Sequence, residues 1–266
     1  MSSYFKAIKN HVLNWRDFFL DLIFPIECLG CGQEKIWLCE KCFHSIEFNI
    51  KSRCPACNRP THCGQYCIFC EDDYSLNGIF VAGNYENEII KALIKNFKYH
   101  LIIDLGVFLG SFCSQYFGDQ IEQEKLRAKS NSDFSKIIIK YDGPKNLFNS
   151  MEEILIIPVP LHPRRLRWRG FNQSELIAEH FAKNLNLEIN KNNLIRTRYK
   201  TAQVKLNKKA RVENIKNCFA WQGEKISKKI ILIDDITTTG STLDECAKVL
   251  KENGAVEVWG LVVAKN

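Results

Sequence analysis

The fold is decided by the stretch Ile230–Ala247, IILIDDITTTGSTLDECA. Its first four residues, Ile230 to Ile233, are all aliphatic and show no polar alternation, so they predict a strand that is buried on both faces of a parallel sheet. After Gly240 the apolar residues recur with a helical period, which predicts a helix that begins near Ser241 or Thr242. The stretch is therefore predicted to form a strand, a loop and a helix. In open α/β sheets, ligands bind at such a junction.

The loop of this stretch carries groups that suit a phosphorylated sugar. Hydroxyl side chains and the free N–H groups at the start of a helix can bind an anion, and Gly240 lets the backbone turn tightly around a phosphate. Asp234 and Asp235 suit sugar hydroxyls or a divalent metal instead. Neither a Walker loop nor a Gly-x-Gly-x-x-Gly motif occurs in the chain. The alternative is a buried strand that ends in a solvated turn and a helix cap.

Two acids followed by a threonine-rich turn resemble the phosphoribosyl pyrophosphate (PRPP) motif of type I phosphoribosyltransferases. One departure is Thr237, which stands where that family more often has an aliphatic residue. The resemblance implies that Asp234 and Asp235 are the catalytic acids and hold the ribose hydroxyls, while the turn cradles the 5′-phosphate. The PRPP-binding residues that it implies are Thr237, Thr238, Thr239, Gly240, Ser241 and Thr242.

Composition bounds the class of protein. The chain has 266 residues, 45% of them hydrophobic, and a formal net charge of +7, which is a modest basic excess. No stretch approaches the length of a membrane span, and charged residues interrupt the N-terminal apolar run, so neither membrane insertion nor export is expected. Twelve cysteines are many for this length. In a cytoplasmic protein, which is the location we expect, clustered thiols indicate metal binding rather than disulfides.

Closely spaced Cys-x2-Cys knuckles predict two structural zinc sites, because two knuckles can place four thiolates at tetrahedral positions and leave no open coordination site. The predicted ligands are Cys28, Cys31, Cys39 and Cys42 for the first site, and Cys54, Cys57, Cys67 and Cys70 for the second. His62 and Cys63 are spare potential ligands, so the set that binds at the second site stays open. Cys113, Cys218 and Cys246 are isolated in the sequence, and core packing explains them.

Four regions are predicted along the chain. Residues 1–27 place apolar side chains on one helical face, which indicates an amphipathic helix. This helix either packs on its own protein or anchors at a membrane surface, and the first alternative is favoured because its polar face carries both signs of charge. Residues 28–76 form the zinc-binding module, and residues 77–266 form an α/β domain. Within that domain the polar interval 118–150 is predicted to be a surface insertion.

A second strand, loop and helix are predicted in Ile154–Leu185, ILIIPVPLHPRRLRWRGFNQSELIAEHFAKNL. The loop carries four arginines within six residues, and guanidinium groups bind phosphate oxygens in pairs of hydrogen bonds, which suits a pyrophosphate. The alternative for such a charge run is a solvated face. His162, in the same loop, is a candidate acid or base, although a histidine beside proline is more often structural.

The chain resembles the ComF family of competence-related phosphoribosyltransferase-like proteins over nearly its whole length. The residues that carry the resemblance are LDLIFPIECLGCG (20–32), IPVPLHPRRLRWRGFNQSELIA (157–178), TAQVKLNKKARVENIKNCF (201–219) and LIDDITTTGSTL (232–243). It implies an α/β fold of the type I phosphoribosyltransferase kind, with a parallel sheet flanked by helices and preceded by the small cysteine-rich module. The pyrophosphate-binding residues that it implies are Pro160, Arg164, Arg165 and Arg169. A mobile loop over the site would contain Thr201, Gln203 and Arg211.

The resemblance implies a function in DNA uptake during natural transformation, with PRPP and Mg²⁺ bound. Three alternatives remain: a phosphoribosyltransferase that acts on an unknown acceptor, a non-catalytic accessory that binds single-stranded DNA and meets uptake or recombination proteins, and a regulator that senses PRPP without turnover. Aromatic residues of the zinc region could stack on bases, although packing beneath a zinc knuckle is the commoner role. These residues are Trp37, Phe43, Phe48 and Tyr66.

Overall fold

The computed structural model describes residues 26–49, 51–130, 147–148, 151–198, 215–226 and 228–266. The chain divides into two compact units, Met1–Ser45 and Ile46–Asn266. Nearly all of the helix predicted over residues 1–27 lies outside the described residues, and so do Thr201, Gln203 and Arg211 of the predicted mobile loop.

The smaller unit contributes one described helix, α1 (Glu40–His44). The described helices of the larger unit are α2 (Glu88–Tyr99), α3 (Leu105–Ser130), α4 (Pro163–Arg169), α5 (Gln173–Leu185) and α6 (Ser241–Glu252). Its strands are β1 (Gly78–Asn84), β2 (Ile154–Pro158), β3 (Glu188–Ile189), β4 (Leu194–Arg196), β5 (Phe219–Trp221), β6 (Lys229–Thr237) and β7 (Glu257–Lys265).

Five strands form a parallel sheet in the order β1-β7-β6-β2-β3, and β4 pairs with β5 in a separate antiparallel ribbon. Helices pack on the sheet, with α5 against β2 and β6, and α6 against β6 and β7. All four aliphatic residues from Ile230 to Ile233 are 0% exposed. The predicted α/β class, with a parallel sheet flanked by helices and a cysteine-rich segment before it, is therefore confirmed.

The predicted start of the last helix is confirmed at Ser241, but β6 is longer than the aliphatic run indicated. It continues through both aspartates, since β7 pairs with it as far as Thr237. The neighbouring strand β2 ends beside Ile233. Because the carboxyl ends of these parallel strands meet at one edge, the loops that lead into α4 and α6 leave the sheet side by side.

The predicted zinc-binding module, residues 28–76, is divided by the boundary at Ser45/Ile46. Its second cysteine group belongs to the larger unit, where Cys54 is 0% exposed and joins the same hydrophobic cluster as Ile230 and Leu232. The segment packs on the sheet because β1 lies at the sheet edge and Gly64 accepts a hydrogen bond from Ile79 N.

Helix α2 ends at Tyr99, and α3 begins at Leu105. However, α3 continues past Gly118 to Ser130, so the first part of the interval predicted as a surface insertion, 118–150, is regular helix. The polar residues Gln120 and Glu124 are buried on it, and the surface insertion stays a prediction. Residues 131–146 lie outside the described residues. Among the described helices, none combines the length and apolarity that a membrane span requires.

Candidate functional site

Asp234 and Asp235 lie near the carboxyl end of β6, and neighbouring helices hold both carboxylates in place. Asp234 Oδ1 accepts hydrogen bonds from Ser174 Oγ at 2.8 Å and from Asp235 N at 2.9 Å. Lys98 Nζ, on the last turn of α2, lies 2.8 Å from Asp235 Oδ1. No periodic or motif signal in the sequence points to this lysine, because only the fold brings α2 to the end of β6. Lys98 is therefore a residue of the site that sequence reasoning missed.

Ser174 is positioned by the start of α5. Asn172 caps this helix by accepting from Ser174 N at 3.2 Å, and its amide donates to Val159 O at 3.1 Å. One buried asparagine thus ties the helix that touches Asp234 to the residue that follows β2.

The environment of Asp234 disfavours the ionised form of its carboxyl. Burial raises its pKa above the usual value, the adjacent charge of Asp235 raises it further, and the Ser174 hydrogen bond and Lys98 partly compensate. A raised carboxyl pKa beside a second carboxylate is typical of a site that awaits hydrogen-bond donors or a cation.

The threonine turn has the geometry that the sequence predicted. Gly240, with φ +78°, caps α6, and an added Cβ there would lie 2.9 Å from Ile79 Cδ1, so only glycine fits without rearrangement. Thr237 Oγ1 accepts from Gly240 N at 3.1 Å, and Thr239 Oγ1 lies 2.7 Å from Ser241 Oγ. The unusual Thr237 therefore stabilises the turn from within.

The second cysteine segment braces this turn. Asp244, in the first turn of α6, accepts hydrogen bonds from Ser75 N at 2.8 Å and Leu76 N at 3.0 Å. The Tyr66 ring is buried and stacks on Tyr74 with 4.2 Å between centroids. Its hydroxyl lies 3.5 Å from the position of a Cβ on Gly240. The second cysteine segment and the threonine turn are thus packed against each other.

The arginine loop folds as the short helix α4, with Pro163 in its first turn and Gly170, φ +79°, at its end. Arg165 and Arg169 are one helical turn apart and share a face, whereas the Arg164 side chain is exposed. Arg169 Nη1 donates to Gln173 Oε1 at 2.9 Å. Burial lowers the Arg169 pKa. The negative charge of Asp235 opposes this shift, and the positive charge of Arg165 adds to it.

Arg196, at the end of β4, is a second residue that sequence reasoning missed. Burial lowers its pKa, Arg165 lowers it further, and Asp234 opposes the shift, so this guanidinium lies within electrostatic reach of Arg165 and Asp234. Its Nε is buried without a hydrogen-bond partner, as is Nε of Arg169. Three guanidinium groups, of which Arg169 and Arg196 have unused buried donors, thus lie on the side of the two acids.

His162 does not stand out as an acid or base. Its Nδ1 accepts from Arg164 N at 3.2 Å and caps α4. Desolvation lowers its pKa, and the positive charges of Arg196 and the helix α4 arginines lower it further, so the ring is held neutral at physiological pH. The structural alternative is therefore favoured for this histidine.

The first cysteine group, in the smaller unit, fits zinc. Its four sulphur atoms lie within 4.8 Å of one another, and Cys31 Sγ is 3.7 Å from Cys39 Sγ. Tetrahedral zinc with bonds of about 2.3 Å sets sulphur atoms about 3.8 Å apart. Cys39 N donates to Cys28 Sγ at 3.3 Å. Despite burial, backbone N–H donors lower the Cys28 pKa to about 6, while the neighbouring Cys39 raises the Cys42 pKa to about 12, as expected where four thiolates need a cation.

The structure shows which side chains form the second cysteine group, a question that the sequence left open. Cys54, Cys57, Cys67 and Cys70 lie together, with 3.5 Å between Cys57 Sγ and Cys67 Sγ, and Cys67 N donates to Cys54 Sγ. His62 and Cys63 are not part of this set and lie beside Glu124 instead. Both groups thus have the composition and spacing of structural zinc sites.

Most aromatic residues of the cysteine region are packed rather than available to bases. Phe43 and Tyr66 are buried, and Phe48 packs on Phe112 with 5.0 Å between ring centroids. Two aromatic residues that the sequence did not single out are exposed instead, Phe69 at 71% and Trp168 at 68%. Each lies beside an arginine: Arg59 is 4.7 Å from the Phe69 ring centroid, and Arg169 is 5.9 Å from that of Trp168.

Comparison with known proteins gives three kinds of match. The double zinc ribbon domain family matches residues 19–71. Competence protein F of Haemophilus influenzae is 38% identical over 41% of this chain, and the DNA utilization protein YhgH of Escherichia coli K12 is 38% identical over 40%. The chain spans about half the length of both relatives, 50% and 48%. Competence protein ComFC of Streptococcus pneumoniae is 26% identical over 88% of this chain and 97% of its own length.

Among solved structures, a purine phosphoribosyltransferase from Pyrococcus horikoshii aligns with a TM-score of 0.28 and 14% identity, covering 46% of this chain and 75% of its own. No argument rests on a score this low. The class is defined by the chain's own features: residues that match a double zinc ribbon domain, followed by a parallel sheet with acids, a threonine turn and arginines at one edge. In sequence the chain is similar to these competence and DNA utilization proteins, which supports the ComF resemblance that its motifs carry.

Proposed function

We propose that this chain binds PRPP at the edge of the sheet where β2 and β6 end, and that it acts in DNA uptake in the cytosol. One observation carries the first part: two acids, a glycine-capped hydroxyl turn and three guanidinium groups come together there from three separate segments. The printed names of the relatives, competence and DNA utilization proteins, support the second part. Cysteines clustered as zinc ligands rather than paired in disulfides fit a reducing compartment.

In this proposal each end of the ligand meets groups of matching charge. Backbone N–H groups and hydroxyls from Thr238 to Thr242 hold the 5′-phosphate at the start of α6. Arg165, Arg169 and Arg196 take the pyrophosphate, with the unpartnered Nε atoms of the last two available as donors. Pro160 and Arg164 remain predicted contributors from the same loop.

Asp234 and Asp235 would accept hydrogen bonds from the two ribose hydroxyls. Ligand binding then requires Lys98 to leave or share Asp235, because the Lys98 ammonium occupies the side of that carboxylate in the free protein. Lys98 thereby neutralises the acid pair while the site is empty of sugar, which reduces the cost of keeping two carboxylates adjacent.

Magnesium fits this arrangement as an ion bound jointly by the acids and PRPP rather than by the protein alone. Among the described residues, the acids do not join a third metal-ligating side chain, so the remaining coordination would come from PRPP oxygens and water. When bound, Mg²⁺ neutralises charge on the pyrophosphate.

As an enzyme, the protein would transfer phosphoribosyl to a nitrogen nucleophile. The C1–N bond forms as the C1–O bond breaks, and pyrophosphate leaves with the electron pair toward the arginines. Negative charge from Asp234 and Asp235 would stabilise the positive charge that develops on the ribose. A sensor would bind PRPP in the same way without turnover, and pyrophosphate release with a panel of amines distinguishes the two.

The guanidinium cluster gives the test of this site. We expect Arg165→Met and Arg196→Met each to weaken PRPP binding by roughly 10-fold to 100-fold, since a charge-assisted hydrogen bond contributes about 1.5–3 kcal/mol. Arg167→Met is the matched control, because Arg167 is exposed on the same helix and should leave affinity within about twofold. Isothermal titration calorimetry with Mg²⁺ present measures this. Equal affinities for all three variants would contradict the proposed pyrophosphate position.

A second candidate function, single-stranded DNA binding, is supported by the exposed aromatic residues. Trp168 projects from a helix that carries four arginines, and Phe69 lies beside Arg59. Base stacking on an aromatic ring beside phosphate-binding cations is the usual mode of sequence-tolerant single-strand recognition. Helix α4 could thus serve PRPP with one face and nucleic acid with the other.

We expect Trp168→Ala to weaken binding of an oligothymidine by about 5-fold to 100-fold, the range that corresponds to one stacked base. Binding should also fall steeply with salt, because phosphate contacts release counterions. Fluorescence anisotropy over a salt series measures both effects. Tyr99→Ala, which removes an exposed aromatic residue from α2, is the control. A flat salt series, or equal losses in both variants, would count against this function.

A further inference from the structure

His62, Cys63 and Glu124 form a third group of metal-ligating side chains, separate from the two four-cysteine groups. Their ligand atoms all lie within 4.8 Å of one another. His62 Nε2 is 2.6 Å from Glu124 Oε1 and 3.8 Å from Cys63 Sγ. The first two residues come from the loop between the second pair of knuckles and the third from α3, so the group joins two distant parts of the larger unit.

The backbone conformation at Cys63 and Gly64 fixes the direction of the Cys63 side chain. Cys63 has φ +50° and Gly64 has φ +73°, so two successive residues adopt the left-handed conformation. An added Cβ on Gly64 would lie 2.1 Å from Ile79 O, which shows how closely the turn approaches β1. A cysteine in this region costs on the order of 1 kcal/mol or more, and such strain is characteristic of positions where side-chain direction matters.

Burial favours a cation at this place. The Glu124 side chain is 7% exposed and Cys63 is 4% exposed, whereas His62 is partly open. A carboxylate this buried is unfavourable unless a hydrogen-bond donor or a cation lies beside it. A protonated His62 is one such cation, and a bound metal ion is another. A metal ion would also use the Cys63 thiol, which donates to Gln120 Oε1 in this structure.

We propose that His62, Cys63 and Glu124 bind a zinc ion, which would be the third zinc of the chain and which does not depend on PRPP binding. Zinc accepts imidazole nitrogen, thiolate sulphur and carboxylate oxygen together, a set that suits neither magnesium nor calcium. Binding requires the His62–Glu124 contact to open to about 3.3 Å, the separation set by zinc bonds near 2.1 Å.

Three protein ligands leave a fourth position, and the structure provides space for it. His62 and Cys63 line a cavity of about 290 Å³, together with Lys51, Arg53 and Gln120. Gln120 Oε1, one helical turn before Glu124, is 3.6 Å from Cys63 Sγ. Water or an anion drawn by the two basic side chains can therefore complete the coordination. Such an open site is expected to release its metal to a chelator before the four-cysteine sites do.

Metal content of the full chain, purified without metal-affinity resin, tests this site. We expect three zinc ions per chain in the wild type, one for each group, and two in Glu124→Gln and in Cys63→Ser. Glutamine preserves the shape of the side chain and can still accept from His62. Cys113→Ser is the control, since Cys113 is a buried cysteine of the same helix outside all three groups, and it should retain three ions.

Zinc X-ray absorption spectroscopy of the wild-type chain tests the proposed third site even if both variants fail to fold. The proposed site lowers the average to about three sulphur ligands per zinc, because two sites supply four each and the third supplies one. Two ions per chain with four sulphur ligands each would overturn the proposal. So would a third ion that persists in folded Glu124→Gln and Cys63→Ser, which would mark it as adventitious.

Discussion

Replacing both Asp234 and Asp235 by asparagine is expected to weaken Mg²⁺-dependent PRPP binding at least about 100-fold. The two substitutions remove two charge-assisted hydrogen bonds, each contributing about 1.5–3 kcal/mol, and they remove the negative charge that attracts the metal. Asparagine keeps the size of the side chain, so β6 should keep its pairing with β7. Isothermal titration calorimetry with and without Mg²⁺ gives the affinities.

Removing the Asp234 charge is expected to weaken PRPP binding but to raise the stability of the free protein. A carboxyl whose pKa is higher in the folded than in the unfolded state binds its proton more tightly when folded, so its ionisation costs folding free energy above that pKa. Asp234→Asn should therefore stabilise the free protein at pH 8, by on the order of 1 kcal/mol. The gain should shrink as the pH falls through the raised pKa, where wild-type Asp234 becomes protonated. PRPP binding to the wild type should weaken over the same pH window.

Urea unfolding at pH 8 and at lower pH measures the stability difference. Asp104→Asn is the control for both readouts, because Asp104 is exposed at the start of α3 and has no part in the proposed site. Unchanged PRPP affinity in the double variant would contradict the assignment of the acids. A loss of stability in Asp234→Asn at pH 8 would show instead that its carboxylate is already well compensated in the free protein.

The second large effect is expected from Cys54→Ser, which removes one ligand of the second four-cysteine group. Cys54 is fully buried in the hydrophobic cluster that includes Leu232, so loss of the metal opens the packing of the sheet as well as the knuckles. Structural zinc contributes several kcal/mol or more, which corresponds to a fall in Tm of roughly 10 °C or more for a unit of this size.

PRPP binding should fall together with stability in this variant. The cysteine segment supplies the N–H groups that bind Asp244 and the Tyr66 ring that packs near Gly240, so its disorder would release the threonine turn. Zinc content, thermal unfolding and calorimetry on one preparation give the three values. Cys113→Ser should keep its zinc and lose only a few degrees. A Cys54→Ser protein that has lost zinc but keeps its Tm and its PRPP affinity would refute this coupling.

Local sequence carried the parts of the fold that depend on neighbouring residues. An aliphatic run such as Ile230 to Ile233 requires cover on both faces, and a glycine before a helical period requires a turn, so strand, turn and helix could be predicted together. The paired spacing of the knuckles likewise indicated both zinc sites. In each case the physical cause lies within about twenty residues of chain.

What could not be predicted depends on contacts between distant segments. Lys98 and Arg196 lie at the end of an ordinary helix and an ordinary strand, and only the tertiary fold brings them to Asp235 and Asp234. The polar composition after Gly118 gave no sign that α3 continues there, or that Glu124 is buried against His62. Burial of a polar residue by a remote partner leaves no periodic trace in sequence.

Diffraction from crystals of the full chain soaked with PRPP and Mg²⁺ tests the central claim most directly. The account predicts density for the ligand at the edge of the sheet, with its 5′-phosphate against the turn from Thr238 to Thr242, its ribose hydroxyls on Asp234 and Asp235, and its pyrophosphate among Arg165, Arg169 and Arg196. Lys98 should have moved away from Asp235. An empty crevice at saturating PRPP, with the Lys98–Asp235 pair intact, would contradict it.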